Sequence, residues 1–284
     1  MRKAIPTFML WLAVSWTIWA QQPLPAGSHN LQGILSRMEN GDLHAQKLAF
    51  DDLMTYIASE EPDRPQDSDR SDFLNDFFAQ HPDEADKIKL ALIHLLSRED
   101  YFFIESKNPP PDPHVEDDIE EHYPELIHAV ASLDDERAIP ALVGAMTTGG
   151  IATRGLLKYG DKALGPVLDQ LTSTDPLVRG SALDIGVAIL KTKKDSASSS
   201  RIRALVESSL KDSDSSVRMR AVMVIDCLDE RQDFAPALQQ LSKSDPDRFP
   251  ERENDGADGD SYYPVRVQAR RVLRDIQSNR ICTP

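Results

Sequence analysis

The chain has 284 residues, with Lys plus Arg at 32 and Asp plus Glu at 47, for a formal net charge of −15. That charge argues against a general nucleic-acid or anionic-membrane binder, since both need a positive surface. Two cysteines are too few for a disulfide scaffold or a four-thiolate zinc site, while 40% hydrophobic and 28% charged residues fit a soluble domain with a core.

Residues 1–20 read MRKAIPTFMLWLAVSWTIWA. Arg2 and Lys3 form a basic start, Phe8 to Ala20 is apolar but for Ser15 and Thr17, and Ala20 offers a small residue for cleavage. This is the grammar of a secretory signal peptide, and the apolar run is short for a membrane-spanning helix. We expect cleavage, an exported chain (periplasmic or extracellular) and no stable membrane insertion afterwards. No cysteine lies near the cleavage point, so a lipoprotein anchor is not expected. The remaining chain has no Asn-x-Ser/Thr site, which leans towards a bacterial exported protein.

Beyond the signal, helical periodicity dominates and strand alternation is almost absent. Leu43, Leu48, Leu53, Met54 and Ile57 form one apolar stripe; Ile88, Leu92, Leu95 and Leu96 form a second. Tyr123, Leu126, Ile127, Val130 and Leu133 form a third. Breakers separate them: the polar stretch Glu60 to Arg70, the Pro-rich spacer Lys107 to Pro113, a loop over Lys191 to Ser200, and an insertion over Asp245 to Tyr263. Acids outnumber bases more than three to one over residues 21–135, and the two balance over 136–284. We therefore expect a signal at 1–20, an acidic helical region at 21–113 and a repeat domain at 114–284.

The repeat is explicit. Asp175-Pro176-Leu177-Val178-Arg179 precedes Ala182, Ile185 and Ile189; Asp214-Ser215-Ser216-Val217-Arg218 precedes Ala221, Val224 and Leu228. Pro264-Val265-Arg266 precedes Ala269, Val272 and Ile276 without the Asp. An earlier copy, Ile151-Ala152-Thr153-Arg154, keeps only the arginine. A second signature alternates with these: Ala138-Ile139-Pro140, Leu164-Gly165-Pro166 and Phe234-Ala235-Pro236, each followed by an apolar residue pair. Asp is a good cap for the free N–H groups of a first helical turn, and Pro loses nothing there. A helix pair that cannot bury its stripe alone must stack on another pair.

The pattern resembles HEAT repeats, in particular the short HEAT-like variety first associated with phycobilin lyases, over about residues 123–280. The resemblance implies an all-α fold: a right-handed α-solenoid of stacked antiparallel helix pairs, preceded by additional helices. It also implies that Arg154, Arg179, Arg218 and Arg266 form a structural ladder between repeats. Second-helix positions outside the core would line the inner face: Ser181 and Asp184, then Met219, Arg220 and Met223, then Arg270, Arg271 and Arg274. Methionine adapts to varied partners and arginine is enriched at interfaces, so the last six are the candidate partner-binding residues. Cys227 and Cys282 fall near the ends of consecutive second helices. A tail folding back would bring them together in an oxidising compartment; otherwise Cys227 is a core thiol and Cys282 hangs free.

Other constellations are weaker. His114, Asp118 and His122 share one helix face but span two turns, and the Asp-rich Asn254 to Ser261 lacks the full calcium loop. We assign no metal and no cofactor. There is no Gly-rich phosphate loop, no His-Glu-x-x-His and no nucleophile elbow. The leading expectation is a non-catalytic scaffold for an unknown protein or peptide, not nucleic acid. A lyase-like or other enzyme-associated protein and a weak metal-regulated module remain the alternatives.

Overall fold

The computed structural model describes residues 30–59, 70–98, 113–247, 263–280 and 282. The expected signal segment at 1–20, the spacer at 107–112 and the Asp-rich stretch at 254–261 lie outside the described residues. So do the side chains of His114, Asp118 and His122, although their backbone is helical. All regular structure among the described residues is helical. No helix among them is long and apolar enough to cross a membrane.

The chain divides into two compact units, Met1–Pro62 and Asp63–Pro284. In the first, α1 (Leu31–Asn40) packs on α2 (Leu43–Ser59). Asn30 caps α1 by accepting from Gln32 N, and Arg37 pairs with Asp52 across the two helices at 2.6 Å. The buried side of α2 carries Ala49, Phe50, Leu53 and Ile57 together with Gln46, whereas Leu48 faces outwards at 45% exposure. Leu48 therefore does not belong to the stripe its spacing suggested: it stands about 140° from Leu53 on the helix circumference.

The second unit opens with α3 (Arg70–Gln80) and α4 (Pro82–Arg98), which pack on α5 (Pro113–Ser132). Leu74, Phe77, Ile88, Leu92, Leu95 and Leu96 are buried. An apolar face of that size has to be covered. The helices on either side of the Pro-rich stretch thus belong to one compact unit, Asp63–Pro284.

The remaining helices alternate in a regular order. They are α6 (Ile139–Gly144), α7 (Gly150–Tyr159), α8 (Asp161–Asp169), α9 (Pro176–Lys191), α10 (Ser196–Ser209), α11 (Ser215–Asp226), α12 (Ala235–Ser244) and α13 (Pro264–Gln277). Helix α9 packs on α7 and α11, and α11 packs on α13, while α8, α10 and α12 pack against their sequence neighbours. Ala182, Ala221 and Ala269 are fully buried at these contacts, where a methyl group lets helix axes approach. Val224 and Ile276 are only partly buried, and Ile225 fills the core beside Val224 instead.

The caps explain the boundaries. Asp175 accepts from Leu177 N with Pro176 in the first turn of α9, and Asp214 accepts from Ser216 N at α11. Asp195 accepts from Ser198 N, so α10 begins at Ser196 and not after Ser200 as the polar loop suggested. Pro140 and Pro236 open α6 and α12, but Pro166 sits inside α8, which starts five residues earlier at Asp161. Gly155 of α7 approaches α5 so closely that a Cβ would stand 2.8 Å from Ala131 Cβ and 3.1 Å from Ala131 Cα.

Candidate functional site

Three of the four repeat arginines form a connected series. Arg179 Nε and Nη2 donate to both carboxylate oxygens of Asp212 at 2.8 and 2.7 Å, while its Nη1 donates to the Ser173 and Thr174 carbonyls. Arg218 repeats this arrangement one step on. It donates to both oxygens of Asp245 at 2.7 and 3.0 Å, and its Nη1 reaches the Asp212 and Ser213 carbonyls. Arg266 Nε then donates to the Asp245 carbonyl at 2.7 Å. Each aspartate thus takes one arginine on its carboxylate and the next on its backbone oxygen. The Arg179 guanidinium holds the Asp212 carboxyl below the usual carboxylate range, and Asp245 holds the Arg218 guanidinium above its own.

Arg154 is the exception. It is exposed and makes none of these bonds, which corrects its placement in the ladder. The reason lies in the acceptor. The residue six before Arg218 is Asp212, which supplies a carboxylate to the preceding arginine, Arg179. The residue six before Arg179 is Ser173, which has none.

Of the candidate partner-binding residues, Met219, Arg220 and Met223 lie on α11, Arg271 and Arg274 lie on the exposed side of α13, and Arg270 turns towards α12. Met223 is half exposed at 50% and Met219 is partly exposed. Arg220 donates from Nη1 to Asp184 of α9 at 2.6 Å. Burial raises the Asp184 carboxyl above its ordinary value, and the Arg220 guanidinium opposes that rise. Arg271 of α13 donates from Nη2 to Asp226 of α11 at 3.0 Å. Asp226 is buried; its Oδ1 accepts no hydrogen bond and faces Arg231 Nη1 at 3.7 Å. Arg274 is exposed one turn beyond Arg270 and Arg271. Arg270 turns the other way and donates to the Ser242 carbonyl at the end of α12. Ser181, expected on the open face, is buried at 6% exposure.

Cys227 and Cys282 form a disulfide with a Cα–Cα distance of 5.1 Å. It ties Cys282, five residues beyond the end of α13, to the C-cap of α11, and Lys191 Nζ from the end of α9 donates to the Cys227 carbonyl at 2.8 Å. The bridge therefore closes one end of the surface that carries Met223 and Arg271.

Two clefts lie elsewhere. One of about 300 Å³ is lined by Leu168, Leu171, Arg201, Leu205 and the Arg179–Asp212 pair; the other, of about 340 Å³, by Ser196, Ser199, Ile202, Arg203 and Phe234. In the first, the charged groups at the base are consumed by their mutual bond. In the second, Arg203 pairs with Asp233 and lies over the Phe234 ring. Ser199 Oγ there also donates to Glu230 Oε1 at 3.4 Å, an exposed contact, and no histidine lines either cleft. Among the described residues, no group of three His, Cys, Asp or Glu stands close enough to hold a metal ion.

Sequence reasoning singled out the arginines but missed their acceptors Asp212, Asp245 and Asp226. A signal for the first two was present: Asp212-Ser213-Asp214 and Asp245-Pro246-Asp247 share an Asp-x-Asp spacing. No protein-family model matches the chain, and no curated protein matches it.

Proposed function

We propose that this protein is an exported, non-catalytic scaffold with HEAT-like helix pairs that binds a protein or peptide partner on the surface formed by α9, α11 and α13. The observation that carries the reading is Met223. It is a large apolar side chain, half exposed at 50%, between two helix seams that are each bridged by an Arg–Asp pair. Single exposed apolar residues are ordinary, but one flanked by held guanidinium groups combines an adaptable anchor with oriented donors. Stacked helix pairs offer such surfaces as a matter of geometry. The net charge of −15 speaks against nucleic acid as the partner.

A photo-crosslinking residue at position 223 tests the reading, with one at position 201 on α10 as the control. The expected result, in a whole-cell or envelope sample, is a cross-linked species from position 223 that is absent from 201 and lost when Arg274→Glu is added. Equal species from both positions would overturn it. Export is tested separately. Trp11, Trp16 and Trp19 all precede residue 20, so the exported form should show tyrosine emission and no tryptophan band.

A further inference from the structure

The position of Met223 on α11 is specific. At about 100° per residue, Met223 lies about 60° round the helix from Arg220 and about 60° from Asp226, between them. Arg220 is the residue that reaches back to α9, and Asp226 is the one that receives α13. Met223 therefore bisects the open face, with a seam on either side.

Each seam ends in a guanidinium with donors to spare. Arg220 uses Nη1 on Asp184, and Arg271 uses Nη2 on Asp226. An arginine carries five N–H donors, so each has others available after its internal bond. The internal bonds also fix where those donors stand, which lowers the entropy lost on binding a second acceptor. Arg274 adds a third guanidinium, exposed and without an ion-pair partner among the described residues, and Val267 adds a second apolar patch one turn before Arg271 at 38% exposure. Asp184 and Asp226 are held by Arg220 and by Arg271 with Arg231, and Asp275 of α13 faces Arg280 at 3.9 Å, so with Arg274 five guanidinium groups stand against three carboxylates. The face is cationic on a chain whose total charge is strongly negative.

We infer that this face takes an acidic peptide segment with one apolar anchor, the anchor packing on Met223 and the flanking carboxylates meeting Arg220 on one side and Arg271 and Arg274 on the other. This rests on the proposal that α9, α11 and α13 form the binding surface, and adds the chemistry of what binds. Carboxylate paired with guanidinium favours two-point bonds, and an apolar side chain on exposed methionine removes both from water. A basic segment would meet like charge here, and a neutral one would leave the oriented donors unused.

The test is fluorescence anisotropy on the full chain with three labelled peptides of equal length. One is Glu/Asp-rich with a central Leu, one has the same acids with Ser in place of Leu, and one is Lys-rich with the Leu. The acidic Leu peptide should bind, the acidic Ser peptide should bind at least about tenfold more weakly, and the Lys-rich peptide should not bind. Met223→Glu and Arg274→Glu should each weaken the acidic Leu peptide about tenfold or more, and added salt should weaken it progressively. Both positions are exposed, so the variants keep the fold, and unchanged thermal melts verify this. Arg201→Glu, on α10, should bind as the parent does. Equal binding of acidic and Lys-rich peptides, or binding untouched by Met223→Glu and Arg274→Glu, would overturn the inference. If position 223 still cross-links a partner while no acidic peptide binds, the chemistry falls and the surface stands. If neither occurs, both fall.

Discussion

Arg220 lies across Gly180 so closely that a Cβ on the glycine would stand 2.5 Å from Arg220 Cδ and 2.8 Å from its Nε. The glycine sits inside α9, where alanine would ordinarily be better by about 1 kcal/mol. Its place is explained by the side chain it admits, which passes over the helix to reach Asp184.

This contact predicts a coupling between positions 180 and 220. Gly180→Ala alone should stay within about 0.5 kcal/mol of the parent, because the gain in helix propensity is offset by displacing Arg220 from its part-exposed bond to Asp184. In an Arg220→Ala background the same change should stabilise by about 1 kcal/mol, since only the helix propensity remains. Chemical denaturation of the four proteins in this cycle measures it. Carbon-detected NMR of the Asp184 carboxyl gives a second readout: both single variants should titrate at higher pH than the parent, because burial is then unopposed. An equal gain from Gly180→Ala in both backgrounds would show that Arg220 is not what the glycine accommodates.

The arginine series separates buried from exposed members. Arg218 is 7% exposed and Asp245 1% exposed at the side chain, so Arg218→Ala leaves a buried carboxylate with its main partner gone. The expected loss is about 3–5 kcal/mol. Arg154→Ala, at an exposed position without such a bond, should fall within about 0.5 kcal/mol of the parent. Paired thermal melts decide it, and comparable losses would mean that the series does not carry the stack.

Asp212 gives the pH dependence. Its folded pKa is depressed, chiefly by the hydrogen bonds from Arg179. A depressed carboxyl contributes stability that is present above its unfolded value of about 4 and is lost as pH falls through the folded value. Asp212→Asn should therefore be less stable than the parent at pH 7, and the gap should close as the pH falls below about 4. Denaturation midpoints across pH 2–7 provide the measurement; a gap that stays constant with pH would assign the loss to packing and not to charge.

What the sequence made legible follows from the range of the interactions. Caps are local, so Asp175 and Asp214 announced the starts of α9 and α11 from spacing alone. Buried stripes are periodic, so Ile88, Leu92, Leu95 and Leu96 could be grouped before any contact was known. The surface was harder. That Arg179 meets Asp212, or Arg271 meets Asp226, depends on which helices become neighbours, and the separations of 33 and 45 residues are not periodic. Arg154 was grouped with the ladder because its own position fitted; the absence of an acid at Ser173 mattered only once the acceptor position was known. The reason for Gly180, the Arg220 side chain lying over it, likewise depends on which helix packs beside α9.

The disulfide holds the end of the proposed surface. Without it, α13 would still pack on α11 and α12, but the residues after Gln277 would have no covalent tie to the α11 C-cap. The bridge closes a separation of 55 residues, for which the chain-entropy treatment gives about 4 kcal/mol of stabilisation through the unfolded state. Residual structure in the unfolded chain reduces that figure, so a measured loss of about 2–4 kcal/mol is expected for the Cys227→Ser, Cys282→Ser double variant. The parent protein, unfolded without reductant, should show no reactive thiol. Dithiothreitol should lower the melting temperature of the parent and leave the double variant unchanged. The same reductant should also weaken the acidic Leu peptide, because Arg271 and Arg274 belong to the helix that the bridge secures. Two free thiols per unreduced chain, or equal melts with and without reductant, would mean that α13 holds its place by packing alone.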